Sequence, residues 1–281
     1  MLLPGKGIPW KEFLRDLQRE WVKDKIDTVA GGLTFFGILA IFPFLLFAVS
    51  LGGLILDRMT ATALINELYR VVPRAVADIL SERINALAEG QSPALLTLSA
   101  LGAIWAASGG IAALTDALNT AYGVEETRPY WKRRGLAILL TIGGAVFAVV
   151  ATAIAVATPA LAAFFPGPLS TIILWARLPV SALIIMTILA VLYYLLPDVE
   201  QEFKFITPGS VVAVVIWVIA SLGFSFYVGR FGTYEVIYGA LGGVIILLLW
   251  MWISAMAMLL GAEINAILAQ RTSEEKEARG G

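Results

Sequence analysis

The chain has 281 residues, 59% hydrophobic and only 15% charged, with a mean hydropathy of +0.84; this is too apolar for a soluble globular protein. It contains no Cys and no His, which excludes a disulfide framework, thiol chemistry and metal hydrolysis built on His ligands. A net charge of −1 and a pI near 5.6 argue against nucleic acid as a partner, which calls for a basic face.

Residues 1–27 form an amphipathic N-terminal segment. Trp10, Phe13, Leu14, Leu17 and Trp21 recur at helical spacing, and Lys11, Arg15, Arg19, Lys23 and Lys25 lie mostly off that stripe. The pattern predicts a helix in a membrane interface, Trp side down, near anionic headgroups. A solvated helix packed on a bundle would show the same stripe. The first long apolar run begins near Thr28. That is late for a cleavable signal, so it reads as a retained span.

Six spans are expected within a membrane domain of residues 28–268, at about 29–56, 94–121, 135–161, 170–196, 208–229 and 237–268. The last opens with Ile237–Leu260, 24 residues without a charged side chain. Crossing the hydrocarbon core takes about 20 residues. Between the first two spans, residues 57–91 carry Leu64, Leu68, Val72, Val76, Ile79 and Leu87 at a helical period. Pro73 divides this stretch into two short amphipathic helices capping the periplasmic face. Residues 269–281 form a charged cytoplasmic tail. With the N-terminus inside, the inner segments hold 14 Lys and Arg and the outer ones 5, with Arg177 inside a span; this predicts both termini in the cytoplasm. The fold class is an all-α polytopic membrane protein: a six-transmembrane-helix bundle with an interfacial N-terminal helix and a helical extracytoplasmic segment.

In such a chain each polar residue needs a reason. Pro43 sits mid-span, frees the carbonyl of Leu39 and bends the helix, either as a moving part or for packing. Ser221, Ser225 and Gly229, the Gly239/Gly243 pair and the Ala106/Gly110 pair mark close helix contacts. Asp27, Thr34, Asp116, Asn119, Glu263 and Asn265 fall toward the cytoplasmic ends of three spans, with Asp116 and Asn119 on one helix face. The inner basic loop, Arg128, Lys132, Arg133 and Arg134, offers partners to the carboxylates, Arg128 and Arg133 above all. Two readings stand: a polar clamp tying the inner ends together, or a substrate or ion gate. On the outer side Arg177 lies about 10 Å below the surface and can snorkel. Arg230, Tyr234 and Tyr238 crowd a short outer loop with Glu235, as headgroup contacts or as an aromatic anchor with a local ion pair.

Enzyme motifs are weak. Gly90-Gln-Ser92-Pro-Ala94 lacks the final Gly of a nucleophile elbow, precedes a span instead of following a strand, and has no His to complete a triad. There is no P-loop or dinucleotide fingerprint. No metal site or cofactor is called for.

Several stretches resemble the YihY/BrkB family of bacterial inner-membrane proteins: Ala30-Gly-Gly-Leu-Thr-Phe-Phe leading to Phe42-Pro43; Ala117-Leu118-Asn119 with Tyr122 and Arg128-Pro-Tyr-Trp131; Leu196-Pro197-Asp198 followed by Pro208-Gly209 and Trp217; and Tyr238-Gly239-Ala-Leu-Gly, Leu249-Trp250 and Leu260-Gly261-Ala-Glu263-Ile-Asn265. The resemblance covers nearly the whole chain in order. It implies a six-span inner-membrane protein with a role in envelope integrity or lipid transport. Relatives also carry a ribonuclease label, against which the missing His and Cys and the acidic pI argue. The leading expectation is a transporter or flippase-like carrier of a lipid or other amphiphile, with membrane lipids as partners and no nucleic acid. The alternatives are a structural or assembly scaffold, a small-solute or ion channel, and, least favoured, a membrane hydrolase. The oligomeric state is not legible.

Overall fold

The structure is a computed structural model that describes residues 3–4, 7–53, 93–164, 183–230 and 240–280, plus single positions between 65 and 85; side chains are described mainly over 9–47, 100–150, 183–227 and 244–272. The expected segment at 57–91 lies largely outside this set, as do residues 170–182 of the fourth expected span, Arg177, Tyr234 and Tyr238.

Seven helices make up the described residues: α1 Trp10–Lys23, α2 Ile26–Gly53, α3 Pro93–Ala121, α4 Tyr130–Phe164, α5 Leu183–Leu195, α6 Pro208–Arg230 and α7 Ala240–Gly280. Two dipeptides, Leu3–Pro4 and Gly7–Ile8, pair four residues apart. That separation is a local turn, since true parallel strands need a long crossover. Among the described residues, α3, α4, α6 and α7 each contain a stretch long and apolar enough to cross a membrane. Two shorter apolar helical stretches, Ile26–Ile41 and Leu183–Leu195, accompany them.

The outside of these helices is apolar. On α6, Val211, Val215, Val218, Leu222 and Phe226 form an exposed stripe at helical spacing, and Leu139, Ile142, Val146 and Val150 do so on α4. In water such stripes would be a liability; against lipid they are the expected surface. Conversely Thr34, Ser108, Thr115, Asn119, Thr141, Ser210 and Glu263 are buried.

The chain divides into two compact units, one of Met1–Phe35, Ala113–Arg128 and Val180–Gly281, the other of Phe36–Ala112 and Pro129–Pro179. In the second unit, Phe47 of α2 and Ala145 of α4 are buried, with Phe44, Ala100, Ala103 and Ile104 packed around them. Gly110 lets α3 approach α2: a Cβ there would sit 2.7 Å from that of Ala40. Pro43 lies inside an α2 that continues past it to Gly53.

In the first unit, α6 and α7 pack along each other. Gly209 and Gly261 face each other where they cross; a Cβ on Gly261 would lie 2.6 Å from the Gly209 carbonyl oxygen, 2.8 Å from the Ala213 Cβ and 2.5 Å from the Tyr193 hydroxyl. Helix α1 packs on the far part of α7. Phe13 is buried with Ile264, Ile267 and Leu268, joined by Leu17, Val212 and Leu260, and Arg271 of α7 donates to the buried Asp16 carboxylate. Trp10 and Leu14 remain more than half exposed. The apolar stripe of α1 therefore serves two surfaces, Phe13 and Leu17 toward α7, Trp10 and Leu14 outward.

Gly261→Ala should destabilise the protein by about 1–3 kcal/mol, because the clash is with backbone that cannot move aside. Gly223→Ala, in the same unit but with open space around its Cβ position, should cost nothing or stabilise slightly. Thermal unfolding of both variants in detergent checks the pair.

Candidate functional site

The polar residues of the first unit gather at its helix ends. At the end of α3, Gly123 takes φ +63°, a left-handed conformation that glycine adopts without strain. The Val124 amide bonds the Asn119 carbonyl and the Gly123 amide that of Thr120, both at 3.0 Å; this is the Schellman arrangement. It turns the chain back so that residues 124–128 run beside Asn119.

Asn119 then joins three segments. Its Oδ1 accepts the Asp198 amide at 2.8 Å, and its Nδ2 donates to Glu126 Oε2 at 3.0 Å. Arg128 grips Glu126 with two bonds, 2.6 and 2.7 Å. The same guanidinium donates to the carbonyls of Leu195 and Leu196 at 3.2 and 2.6 Å. These carbonyls lie at the C-terminal end of α5, where cations are favoured. Asp198 Oδ2 accepts both the amide and the hydroxyl of Thr127, at 2.7 and 2.6 Å, and its Oδ1 lies 3.6 Å from Arg128. Gln201 bonds the Tyr193 carbonyl at 2.5 Å. The guanidinium of Arg128 holds the Glu126 carboxyl below the usual range. The Thr127 donors do the same for Asp198, and Glu126 in turn raises Arg128.

A second group closes the start of α6. Thr207 and Ser210 cap each other: the Ser210 amide bonds Thr207 Oγ1 at 3.1 Å and the Thr207 amide bonds Ser210 Oγ at 3.0 Å. Pro208 has no amide hydrogen to satisfy. The remaining donor, the Gly209 amide, goes to Asn265 Oδ1 of α7 at 3.0 Å, and Asn265 Nδ2 returns a bond to Thr207 Oγ1 at 3.0 Å. Every unpaired donor of that helix start is thereby met. Burial pushes the Tyr122 phenol up to about 12, and the nearby Asn265 side chain opposes this. Tyr193 donates to the Met258 carbonyl at 2.6 Å, and Trp217 to Ser254 at 3.0 Å.

The third group lies where α1 meets α2. Lys25 takes φ +48° there, which costs a non-glycine residue about 1 kcal/mol. Asp24 precedes it, and Glu263 of α7 is among the groups acting on its carboxyl. Glu263 is 1% exposed, and its Oε1 has no hydrogen-bond partner. Burial holds the Asp24 carboxyl above the usual range; Lys23 opposes this and Glu20 adds to it. Lys23 is paired with Glu20 at 2.5 Å.

Of the sequence candidates, Asn119, Arg128, Asn265 and Glu263 fall in these groups. Thr34 does not: its hydroxyl donates to the Ala30 carbonyl of its own helix at 2.7 Å. Asp27 is exposed, with its carbonyl accepting from Trp252 at 3.2 Å. Asp116 is exposed, and its carbonyl accepts from Thr120 at 3.0 Å. The basic loop disperses. Arg133 donates to the Ala112 carbonyl at 3.0 Å, Arg134 to that of Trp105 while stacking 4.0 Å over the Trp105 ring, and Lys132 is exposed. Arg230 ends α6 with its side chain outside the described residues. Glu126, Thr127, Asp16, Asp24, Tyr193 and Thr207 were not singled out from sequence. Thr207-Pro-Gly-Ser210 does carry a readable N-cap signal. Among the described residues no three acidic, His or Cys groups are placed to hold a metal ion.

Apolar outer stripes around bonded helix ends define an integral membrane protein of all-helical class. The chain matches the sequence model of the family described as "Virulence factor BrkB" over residues 17–280 and belongs to that family. It is 31% identical over 265 residues to a Bacillus subtilis protein named ribonuclease-like protein YfkH, covering 92% of this chain and 96% of that one. It is 29% identical to a UPF0761 membrane protein of Azoarcus, covering 92% of this chain and 64% of that one, and 25% identical to one of Aggregatibacter aphrophilus, covering 95% and 96%. No solved structure matches.

Arg128→Gln should destabilise the protein by about 2–4 kcal/mol, because it strands Glu126 and two carbonyls at the end of α5. Glu126 and Asp198 are held below their ordinary range, so their contribution is full at neutral pH. It disappears as pH falls through and below the carboxylate range. Thermal midpoints measured against pH should drop on the acid side in the wild type and less steeply in Arg128→Gln.

Proposed function

We propose that this protein is an inner-membrane carrier of a lipid or other amphiphile, crossing the bilayer six times with both termini in the cytoplasm. The observation that carries this reading is Glu263. An ionisable group buried in an apolar helix is expensive, and residues of that kind mark substrate and ion pathways. Glu263 is 1% exposed, and one of its carboxylate oxygens has no hydrogen-bond partner. The four long apolar helices and the two shorter ones, Ile26–Ile41 and Leu183–Leu195, are the material for six spans. The exposed Trp10 and Leu14 suit α1 to the membrane interface while Phe13 anchors it to α7. Membrane lipids are then the partners. The protein works without a cofactor and is not an enzyme; the ribonuclease-like name of the Bacillus relative belongs to that protein.

A second reading is a scaffold of the inner membrane. It draws on Asn119 and Asn265, whose side-chain groups are committed to helix ends. Under either reading these two are positioning residues and not a gate.

Translocation of headgroup-labelled lipids in proteoliposomes, read with an impermeant quencher, separates the two. A carrier should move lipid, lose most of that activity in Glu263→Gln at equal reconstitution, and change its rate in Pro43→Ala with the fold kept. No movement of anionic or zwitterionic lipid by the wild type would leave the scaffold.

A further inference from the structure

The non-helical segment between α5 and α6, residues 196–207, is fastened at both ends. At its start the Asp198 amide bonds Asn119, the Asp198 carboxylate takes both donors of Thr127, and Gln201 bonds the Tyr193 carbonyl. At its end Thr207 is tied to Ser210 and to Asn265 of α7. Between these fastenings lie three large apolar side chains. Phe203, Phe205 and Ile206 are 52%, 39% and 60% exposed. Phe203 meets the Tyr194 ring edge to face, with centroids 5.2 Å apart, and Tyr194 is itself exposed. The polar groups of this segment are thus spent on holding it, while its apolar groups are turned outward. We propose that residues 199–206 form a bilayer-docking loop, in which Phe203, Phe205 and Ile206 insert beneath the lipid headgroups at the end of the unit where α6 begins.

Continuity with the outer surface of α6 identifies lipid as the occupant. Ile206 stands one residue before the Thr207 cap, and the exposed stripe of α6 opens at Val211 and runs on through Val215 and Leu222. The residues between them interrupt it little: Gly209 and Ser210 are buried, and the Thr207 and Ser210 hydroxyls are bonded to their own helix start. The loop is therefore the upper edge of a surface whose remainder faces acyl chains. A soluble partner covering the loop would have to meet lipid along that edge.

The backbone limits the depth. Lipid-exposed irregular chain does not occur within the hydrocarbon region, so the main chain of 199–206 lies at headgroup level and only its side chains reach down. Glu202 and Lys204 alternate with the apolar residues and are exposed, which suits a segment lying in the interface with charges toward water. Helix α1 marks the same level. Phe13 packs with Val212 in the first turn of α6, and Trp10 and Leu14 remain exposed beside it; Trp is the residue favoured at that depth. The network around Asn119 and Asn265 then has a further result: it presents a lipid-inserting loop in a fixed position.

The chain contains no Cys, so Phe203→Cys and Ile206→Cys can each carry a single nitroxide label. The full-length variants are reconstituted in vesicles of mixed zwitterionic and anionic phospholipid. Electron paramagnetic resonance then reads collisions with oxygen, which concentrates in the bilayer, and with a water-soluble nickel chelate. Collisions with oxygen should exceed those with nickel at both positions. Nickel collisions equal to or above those of oxygen at either position place the loop in water and overturn the proposal. A label shielded from both reagents also overturns it, because a protein surface then covers the loop. Should Phe203→Cys not fold for want of its ring contact, Ile206→Cys, which keeps that contact, decides alone. The inference rests on the membrane class of the protein and not on the carrier reading: a protein that moves no lipid but shows immersed labels loses the carrier and keeps the docking loop.

Discussion

A helix that ends near lipid leaves amides and carbonyls that water does not readily reach, and each must find a partner inside the protein. That constraint organises the first unit. Arg128 takes the carbonyls at the end of α5, Asn265 completes the start of α6, and Gly123 closes α3 with backbone alone. Each side-chain solution reaches across to another helix or loop. Satisfying the helix ends and assembling the unit are therefore one event, and the polar residues do the joining where apolar contact with lipid and with protein differ little.

The close crossing of α6 and α7 belongs to the same design. Asn265 can reach the Gly209 amide only because Gly209 and Gly261 let the backbones approach. A side chain at either position would open the crossing and withdraw the amide from its acceptor. Packing and hydrogen bonding are thus coupled through two glycines, and Tyr193 and Tyr122 fill the flanks.

Against this background Glu263 differs from its neighbours. Asn119, Asn265 and Arg128 close backbone groups, whereas Glu263 is buried with a carboxylate oxygen that has no hydrogen-bond partner. A residue serving only to hold helices together would be better replaced by an amide or an apolar side chain. Under the proposed carrier reading, Asn119, Asn265 and Arg128 form the clamp and Glu263 is the gate candidate.

The sequence by itself determined the solvent and the elements. Long uncharged apolar runs specified a helical membrane chain, and the absence of His and Cys excluded His-ligated metal sites and thiol chemistry, because those properties are local and additive along the chain. The motifs at Asn119, Arg128, Asp198, Gly209 and Asn265 marked the family, and Thr207-Pro-Gly-Ser210 marked a helix start. Only the tertiary structure decided which of these groups touch. Arg128 was paired in prospect with the carboxylates of the inner spans; it bonds Glu126, two residues away, and carbonyls nearly seventy residues away. Thr34 looked like a site residue and turned back onto its own helix, a choice that a helix period cannot reveal. The stripe on α1 divided between α7 and the outside because one face of a helix can serve two neighbours. Asp16 and Arg271 are separated by almost the whole chain, and no spacing rule connects them. Their meeting depends on how α1 lies along α7, which the Phe13 cluster sets, and a linear pattern carries no information about that placement.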